Sequence, residues 1–331
     1  MIELDAVDRA LLEPMQAAFP LSSRPYRDLG LLEGLEENDV LVRVRRLKRE
    51  GFIRQIGAIF DTRRLGYHST LAAFHVSAAS LEGVAGQISA HPGVSHNYAR
   101  PHHYNLWFTL AVPPQIKAEE EIERLACRAK VSDWLNLPAL RVFKIRTHFQ
   151  LREHIGRGAT DVPLASGGSD QRQVTEDDII YIRALQTDLP VLPQPFAETA
   201  GRFGLDEGEL LERSRQLETA GIMRRYSAVL RHRRVGYTSN GMGCWAVPES
   251  QIEEAGRFAA GLSQVSHCYQ RPAFPPRWPY TLFTMIHGQT SADVETIVAR
   301  IARETGVEEY QVLYSTREFK KERVRYFEEE R

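Results

Sequence analysis

The sequence predicts an α+β fold made twice over, a tandem duplication of a helix-turn-helix domain followed by a ferredoxin-like βαββαβ domain. Three observations lead there. First, residues 170 positions apart match along much of the chain: Asp8 and Asp178, Pro20 and Pro190, Pro25 and Pro195, Leu35 and Leu205, Gly51 and Gly221, Arg54 and Arg224, Gly66-Tyr67 and Gly236-Tyr237. One constant offset over so many positions marks an internal repeat. Second, each copy opens with short stretches of helical spacing and then switches, near Ile53 in the first, to strand-like alternation. Third, Gly156 to Gln173 holds Gly156, Gly158, Pro163, Gly167 and Gly168 among small polar residues, a linker composition. The expected division is 1–52 helix-turn-helix, 53–152 first ferredoxin-like domain, 153–173 linker, 174–222 second helix-turn-helix and 223–331 second ferredoxin-like domain.

The elements follow in order. Asp5 is placed to cap a helix whose apolar positions Ala6, Ala10, Leu11 and Met15 recur at helical spacing. Phe19-Pro20-Leu21 and Arg24-Pro25 break the chain, and Tyr26 to Leu32 and Asp39 to Glu50 read as two more helices ending at a left-handed Gly51. Ile53 to Phe60 reads as a strand with a turn at Asp61-Thr62-Arg63-Arg64, and Thr70 to Val76 as the next. A helix is expected at Ser80 to Ala90, strands at Val94 to Arg100 and Asn105 to Val112, a helix at Ala118 to Ala129, and a closing strand at Leu140 to Gln150. In the second copy the offset becomes 171 at His267 and 175 at Leu282-Phe283-Thr284, so an insertion lies at Phe274 to Pro279.

Composition excludes several classes. A formal net charge of -1 carries no basic field for nucleic acid. Cys127, Cys244 and Cys268 are odd in number, far apart and without a CxxC pair, which argues against a disulfide framework or structural zinc and for a reducing compartment. The first residues do not read as a signal peptide, and no apolar run reaches membrane-spanning length, so a cytoplasmic location and no membrane partner are expected. The third helix of the first copy carries Arg43, Arg45, Arg46, Lys48 and Arg49, but its counterpart carries Glu209, Glu212 and Glu218. A two-fold reader of DNA needs both recognition helices, and phosphate contacts dominate such affinity, so DNA binding is not expected.

Chemistry concentrates in Val94 to Phe108, which holds His96, His102, His103, Arg100, Tyr98, Tyr104 and Trp107, and returns at Val265 to Pro272 with His267, Tyr269 and Arg271 ahead of Arg277 and Trp278. In an alternating strand His96, Tyr98 and Arg100 share one face, as do His267, Tyr269 and Arg271. Polar aromatic and cationic groups on one face describe a pocket wall better than a plain core strand. Arginines before prolines are held extended, and guanidinium groups bind carboxylates bidentately. Trp107 and Trp278 suit either a core or the wall of a flat ligand. His102 and His103 are neighbours on a strand and face opposite ways, so the protein alone holds no metal there; a histidine as axial ligand to the iron of a bound tetrapyrrole stays open. Cys268 reads as an inert buried thiol.

Helix-turn-helix followed by βαββαβ is the layout of the AsnC/Lrp-type proteins. Within them, Phe19-Pro20-Leu21, Arg24-Pro25-Tyr26, Gly57-Ala58-Ile59-Phe60, Leu65-Gly66-Tyr67, His96-Asn97-Tyr98, Tyr104-Asn105-Leu106-Trp107-Phe108-Thr109 and Leu137-Pro138 resemble the siroheme decarboxylases. The resemblance runs over essentially the whole chain, twice: the first half resembles one subunit type and the second its partner, as in the fused NirD–NirL proteins. The second half departs from the pattern, with Cys268 for Asn97 and Ala273-Phe274 for His102-His103.

The resemblance implies a carboxy-lyase that removes CO2 from two acetate side chains of siroheme, giving didecarboxysiroheme on the way to heme d1. It implies no added cofactor, the siroheme iron entering with the substrate. The two halves would pair as a pseudo-dimer through their sheets, with related decarboxylase subunits as further candidate partners. His96, His102 and His267 are then the expected proton donors. Tyr98, Arg100, His103, Trp107, Tyr269, Arg271, Arg277 and Trp278 are the expected substrate contacts. The fuller histidine set of the first half places the chemistry mainly there, with the insertion narrowing the mouth of the second pocket. The rival readings are an AsnC/Lrp-type transcriptional regulator and a heme-binding module without chemistry. Limited proteolysis is expected to cut within Gly156 to Gln173.

Overall fold

A computed structural model describes residues 4–145, 172–230 and 239–328. The first half runs through α1 (Ala6–Ala17), α2 (Pro25–Glu33), α3 (Glu37–Arg49), β1 (Ile53–Phe60), β2 (His68–Phe74), α4 (Leu81–Ala90), β3 (Val94–Ala99), β4 (Leu106–Val112), α5 (Ala118–Ala129), β5 (Trp134–Pro138) and β6 (Arg141–Ile145). The second half repeats the order as α6 (Glu176–Leu185), α7 (Pro195–Arg202), α8 (Glu207–Thr219), β7 (Met223–Leu230), β8 (Ser239–Trp245), α9 (Ile252–Gly261), β9 (Val265–Gln270), β10 (Leu282–Gly288), α10 (Ser291–Thr305), β11 (Tyr310–Tyr314) and β12 (Arg317–Lys321). Residues 146–150 of the expected closing strand and 153–171 of the expected linker lie outside the described residues. Among the described residues no helix is long and apolar enough to cross a membrane.

The chain divides into two compact units, each built from both halves. The first holds both helical triplets with β1 and β7. Asp5 caps α1 as expected: its carboxylate accepts the Asp8 N–H while Asp8 accepts the Asp5 N–H, and Thr175 and Asp178 repeat this reciprocal box at α6. Pro25 and Pro195 open α2 and α7, where a missing N–H costs nothing. Gly51 and Gly221 follow α3 and α8 with φ of 75° and 70°, the left-handed conformation that favours glycine.

The basic face of α3 is turned to the protein's own acids. Arg43 and Arg46 both reach the buried Asp8 carboxylate, at 3.0 and 2.5 Å. Lys48 bonds Asp188 at 2.8 Å, and Arg45 donates to the Val191 carbonyl at 3.0 Å. In the second copy Arg213 bonds Asp178 at 2.8 Å. Arg43, Arg46 and Arg213 tie helices within their own triplet, and Arg45 and Lys48 tie the two triplets together, a structural use in place of phosphate contacts. Contrary to the expected βαββαβ order beginning at Ile53, β1 does not lie beside β2 but pairs antiparallel with β7 of the other copy.

The second unit holds two five-stranded antiparallel sheets, in the orders β12-β3-β4-β2-β5 and β11-β8-β10-β9-β6. In the first, β2-α4-β3-β4-α5-β5 is the ferredoxin-like set, closed by Trp134–Pro138 rather than by the expected Leu140 to Gln150. Pro138 ends β5 and the chain crosses over, so that β6 pairs with β9 of the second sheet and β12 returns to pair with β3 of the first. Each half thus lends its last strand to the other, and the halves share one pseudo-two-fold assembly. Lys144 and Lys320 fix these loaned strands by donating to the last carbonyls of α9 and α4, as cations do at helix C-termini.

One face of each sheet carries its helices: Ala72, Phe74, Val94, Leu106, Phe108 and Leu110 pack on α4 and α5, and a matching cluster packs on α9 and α10. The helix-free faces share a third core, in which Ala73, Trp107, Leu135 and Leu137 meet Met242, Cys244, Phe283 and Leu313. The strand register also corrects the sequence offset. Ala99 opposes Leu106 and Gln270 opposes Leu282, so Trp107 corresponds to Phe283 and the offset there is 176, not 175. A slip of one residue matters because it exchanges the two faces of a strand.

On the helix side, Glu121 accepts from Arg124 at 2.6 Å and meets His91 at 3.0 Å. Burial pushes this carboxyl up, but His91 and Arg124 outweigh it and hold the group at about 2, against an ordinary 4.5. A folded value below the unfolded one stabilises above the unfolded value, and that contribution fades as pH falls from about 4.5 to about 2. Denaturant titrations at stepped pH are therefore expected to show Glu121→Gln less stable than the parent at neutral pH. The difference should shrink through that acid window; a constant difference down to pH 2 would count against the pairing.

Candidate active site

The two signature strands bring their polar rows to the helix-free faces. In β3, His96 opposes Thr109 and Tyr98 opposes Trp107, all on the inner face, while Asn97 turns to the helices and donates to the Ala85 carbonyl at 3.0 Å. In β9, His267 opposes Met285 and Tyr269 opposes Phe283. Cys268 turns to the helix side, and burial there pushes its thiol up to about 12, so it is inert as expected.

Both strands carry a bulge just before the histidine. Register shifts between Val94 and His96, and between Met285 and Ile286 opposite β9, leave Ser95 and Ser266 as the extra residues. A bulge re-aims side chains, and here it lets each serine reach its neighbour: Ser95 Oγ lies 2.9 Å from His96 Nδ1 and Ser266 Oγ 2.8 Å from His267 Nδ1. A hydroxyl thus holds Nδ1 of each imidazole. Burial, then His287 and Arg271, push His267 down to about 4. The serines escaped sequence reasoning, although Val-Ser-His in both copies was the available signal.

Each row ends in an arginine that crosses to the other sheet. Arg100 donates to the Leu313 carbonyl and Arg271 to the Leu137 carbonyl, two equivalent positions. Arg100 is 5% exposed, burial pulls both guanidinium groups down to about 10, and the Nε atom of each is buried without a hydrogen-bond partner among the described residues. Carbons of the two guanidinium groups lie 5.8 Å from the Tyr98 ring and 4.8 Å from the Tyr269 ring. So the expected carboxylate grips are seam residues as well, each holding a carbonyl of the opposite sheet.

The remaining predicted residues gather elsewhere in this unit. Trp107 and Trp278 are 1% and 0% exposed, with ring centroids 5.2 Å apart. They are core residues rather than open pocket walls, because the helix-free faces need large apolar groups where they meet. The Trp107 indole donates to the Tyr104 carbonyl at 2.7 Å, whereas the buried Trp278 N–H finds no partner among the described residues. His102 stands edge-on to Trp278 at 5.5 Å, accepts the Tyr104 N–H on Nδ1, and is pushed down by burial and by His103. His103 and Tyr104 bond the two oxygens of Asp133, at 2.7 and 2.9 Å, and Arg277 approaches the same carboxylate at 3.6 Å. His75 stacks on His103 at 4.0 Å. The insertion packs against the first half's His102, Tyr104 and Asp133, and its Trp278 also packs on Tyr280 and Phe283 of the second half. His75 and Asp133 come from stretches with no local motif, and only the fold brings them in.

The comparisons with known proteins agree with this architecture. The helix-turn-helix model of siroheme decarboxylase NirDL-like proteins matches residues 8–54 and 178–224, and the AsnC-like ligand binding domain matches residues 64–144 and 234–320. A siroheme decarboxylase from Hydrogenobacter thermophilus is 42% identical over 97% of this chain and 95% of its own length. A siroheme decarboxylase beta subunit from Methanosarcina barkeri is 41% identical over 45% of this chain and 97% of its own length, so a separate subunit there corresponds to a half here. A crystal structure of the siroheme decarboxylase NirDL in co-complex with an iron-uroporphyrin III analogue superposes with a TM-score of 0.73 at 38% identity, covering 97% of this chain and 94% of that one. With both domain models matched in each half and such identity over nearly the full length, the chain belongs to the siroheme decarboxylase family, in its fused NirDL form.

Proposed function

We propose that this chain is a siroheme decarboxylase, a carboxy-lyase that removes CO2 without oxidation from two acetate side chains of siroheme. The product is didecarboxysiroheme, an intermediate toward heme d1, and no added cofactor takes part because the iron arrives with the substrate. The observation that carries the reading is the repeated inner-face row of serine-held histidine, tyrosine and arginine, one row per half. A macrocycle rimmed by carboxylates needs buried cations without acid partners. Arg100 and Arg271 each keep an unbonded Nε among the described residues.

In the proposed reaction Arg100 and Arg271 hold carboxylates the reaction keeps, which positions the scissile one. The C–C bond breaks with its electron pair left on the methylene carbon, and CO2 departs. Nε2–H of His96 or His267 then gives its proton to that carbon, forming the methyl group. Desolvation makes His267 a strong acid once charged, which favours transfer. His103 and Arg277 sit around Asp133 with His102 beside Tyr104 and Trp278, and all three are assigned to the outer approach of the substrate. Both halves carry the same donor and arginine, so the proposal gives each half a proton donor rather than placing the chemistry mainly in the first.

Anaerobic incubation of the purified chain with siroheme, followed by mass spectrometry, is expected to show loss of one and then two CO2. Binding without mass loss would favour the heme-binding module, and tight, salt-sensitive DNA binding the regulator. A second result bears on the regulator. Because the α3 cations serve internal acids, Arg45→Ala with Arg46→Ala is expected to lower stability by about 2–4 kcal/mol, since Asp8 loses a close partner. The folded fraction should decarboxylate at close to the parent rate; a collapse of turnover at unchanged stability would overturn the scaffolding role of these helices.

A further inference from the structure

The second half carries a hydrogen-bonded chain that the first half does not repeat. Ser266 Oγ lies 2.8 Å from His267 Nδ1 and 2.5 Å from His287 Nε2, and His287 Nδ1 lies 2.6 Å from Asn240 Oδ1. A longer contact, 3.4 Å, joins the same hydroxyl to the Met285 carbonyl. In the strand register His287 opposes Asn240 on β8, and the corresponding pair of the first half is Ala111 opposite Ser69. So Ser95 and Ser266 both hold a histidine, but only at Ser266 does a second imidazole stand at the matching position of the neighbouring strand. Neither His287 nor Asn240 entered the sequence reading or the mechanism above.

We infer that His287 is a proton-relay residue for the decarboxylation, passing protons through Ser266 to His267. The inference rests on the proposed function and names a further residue for it. The atom placement fixes the polarity. Asn240 Oδ1 only accepts, so His287 Nδ1 keeps its proton in every state, and the moving proton is the one on Nε2. In the charged state His287 donates through both nitrogens, Ser266 donates to His267 Nδ1, and His267 presents Nε2–H to the substrate. When CO2 has left and the methylene carbon takes that proton, the His267 Nε2–H bond breaks. Nδ1 of His267 then gains the serine proton and Ser266 gains the Nε2 proton of His287. The chain ends neutral, with both Ser266 hydrogen bonds reversed and the Asn240 bond unchanged, and one proton from water restores it after product leaves. Each turnover consumes one proton, so the acid and base counts balance.

The surroundings explain why a relay is useful here. Burial first, then the charges of His287 and Arg271 on His267 and of Lys321 on His287, hold both imidazoles at about 4, so neither keeps a proton unaided at neutral pH. Spreading one proton over two histidines and a hydroxyl keeps a strong acid supplied without placing a full charge permanently beside Arg271. The polycarboxylate substrate brings the opposing negative charge.

The test uses the full-length chain with siroheme under anaerobic conditions, comparing the parent with His287→Gln, His287→Leu and Ser266→Thr. Gln keeps a hydrogen bond to Ser266 but carries no mobile proton, so both position-287 variants are expected to lower kcat roughly tenfold to a hundredfold with little change in KM. The curved proton inventory of the parent, read from kcat in mixtures of light and heavy water, should become linear in both. Ser266→Thr, which keeps the hydroxyl, should retain the curvature. Full activity in His287→Gln, with the parent's inventory, would overturn the relay and leave His287 a structural neighbour. If the parent itself releases no CO2, the proposed function fails instead, and the two failures are told apart in one experiment.

Discussion

Replacing His96 and His267 together by alanine is expected to lower CO2 release from siroheme by about a hundredfold to ten-thousandfold, the usual cost of removing a general acid. The fold should tolerate the change. Each histidine sits on an inner strand face beside tyrosine, held by one serine, and neither helix-side core includes it. Single variants separate the halves. If each row serves one acetate, His96→Ala and His267→Ala should each stop at loss of one CO2, accumulating a monodecarboxylated product visible by mass. If one row serves both acetates in turn, one single variant alone should reproduce the double variant. A double variant with parent-like turnover would remove both histidines from the reaction and return His102 to first place.

Much of this could be read from the chain, and the misses have physical causes. Local signals were dependable where backbone chemistry is local. The Asp5 cap, the prolines opening α2 and α7, the left-handed Gly51 and the helix over Ala118 to Ala129 all depend on neighbours within a few positions. Partner choice was not legible. The β1 strand has the right alternation for a sheet, but nothing in Ile53 to Phe60 says that its partner lies in the other copy rather than at Thr70. The strand exchange of β6 and β12 escaped for the same reason, and it hid Trp134–Pro138 behind an expected strand that begins after Pro138. At the site, the histidine and arginine rows were visible because strand alternation puts them on one face. Their depth was not. The sequence, with Trp107 in the signature strand region and Trp278 in the insertion, cannot say whether large rings face a ligand or each other, and two sheets meeting face to face decide that. The bulges at Ser95 and Ser266 break the alternation by one residue, which is why the serines went unread.

Arg100 supplies the sharpest separation between a site residue and a seam residue. Arg100→Met keeps most of the side-chain volume and removes the charge. Two effects on stability then oppose each other. A cation 5% exposed, with no acid beside it among the described residues, no longer has to be desolvated. Against that, the Leu313 carbonyl loses its donor, at a cost of about 1–3 kcal/mol. Stability is therefore expected to change by less than about 2 kcal/mol, in either direction, as measured by denaturant titration. Ligand affinity has no such compensation. A hydrogen bond to a charged group is worth about 1.5–3 kcal/mol, so titration of siroheme into Arg100→Met should show Kd raised roughly tenfold to more than a hundredfold. Arg271→Met should behave alike, because its guanidinium makes the mirrored bond to Leu137 and has the same unbonded Nε. Lysine at either position should recover only part of the loss, since an ammonium offers a point charge in place of a bidentate fork. Unchanged affinity joined to a large loss of stability would mean that these arginines only hold the two sheets together, and the carboxylates of the substrate would need other partners.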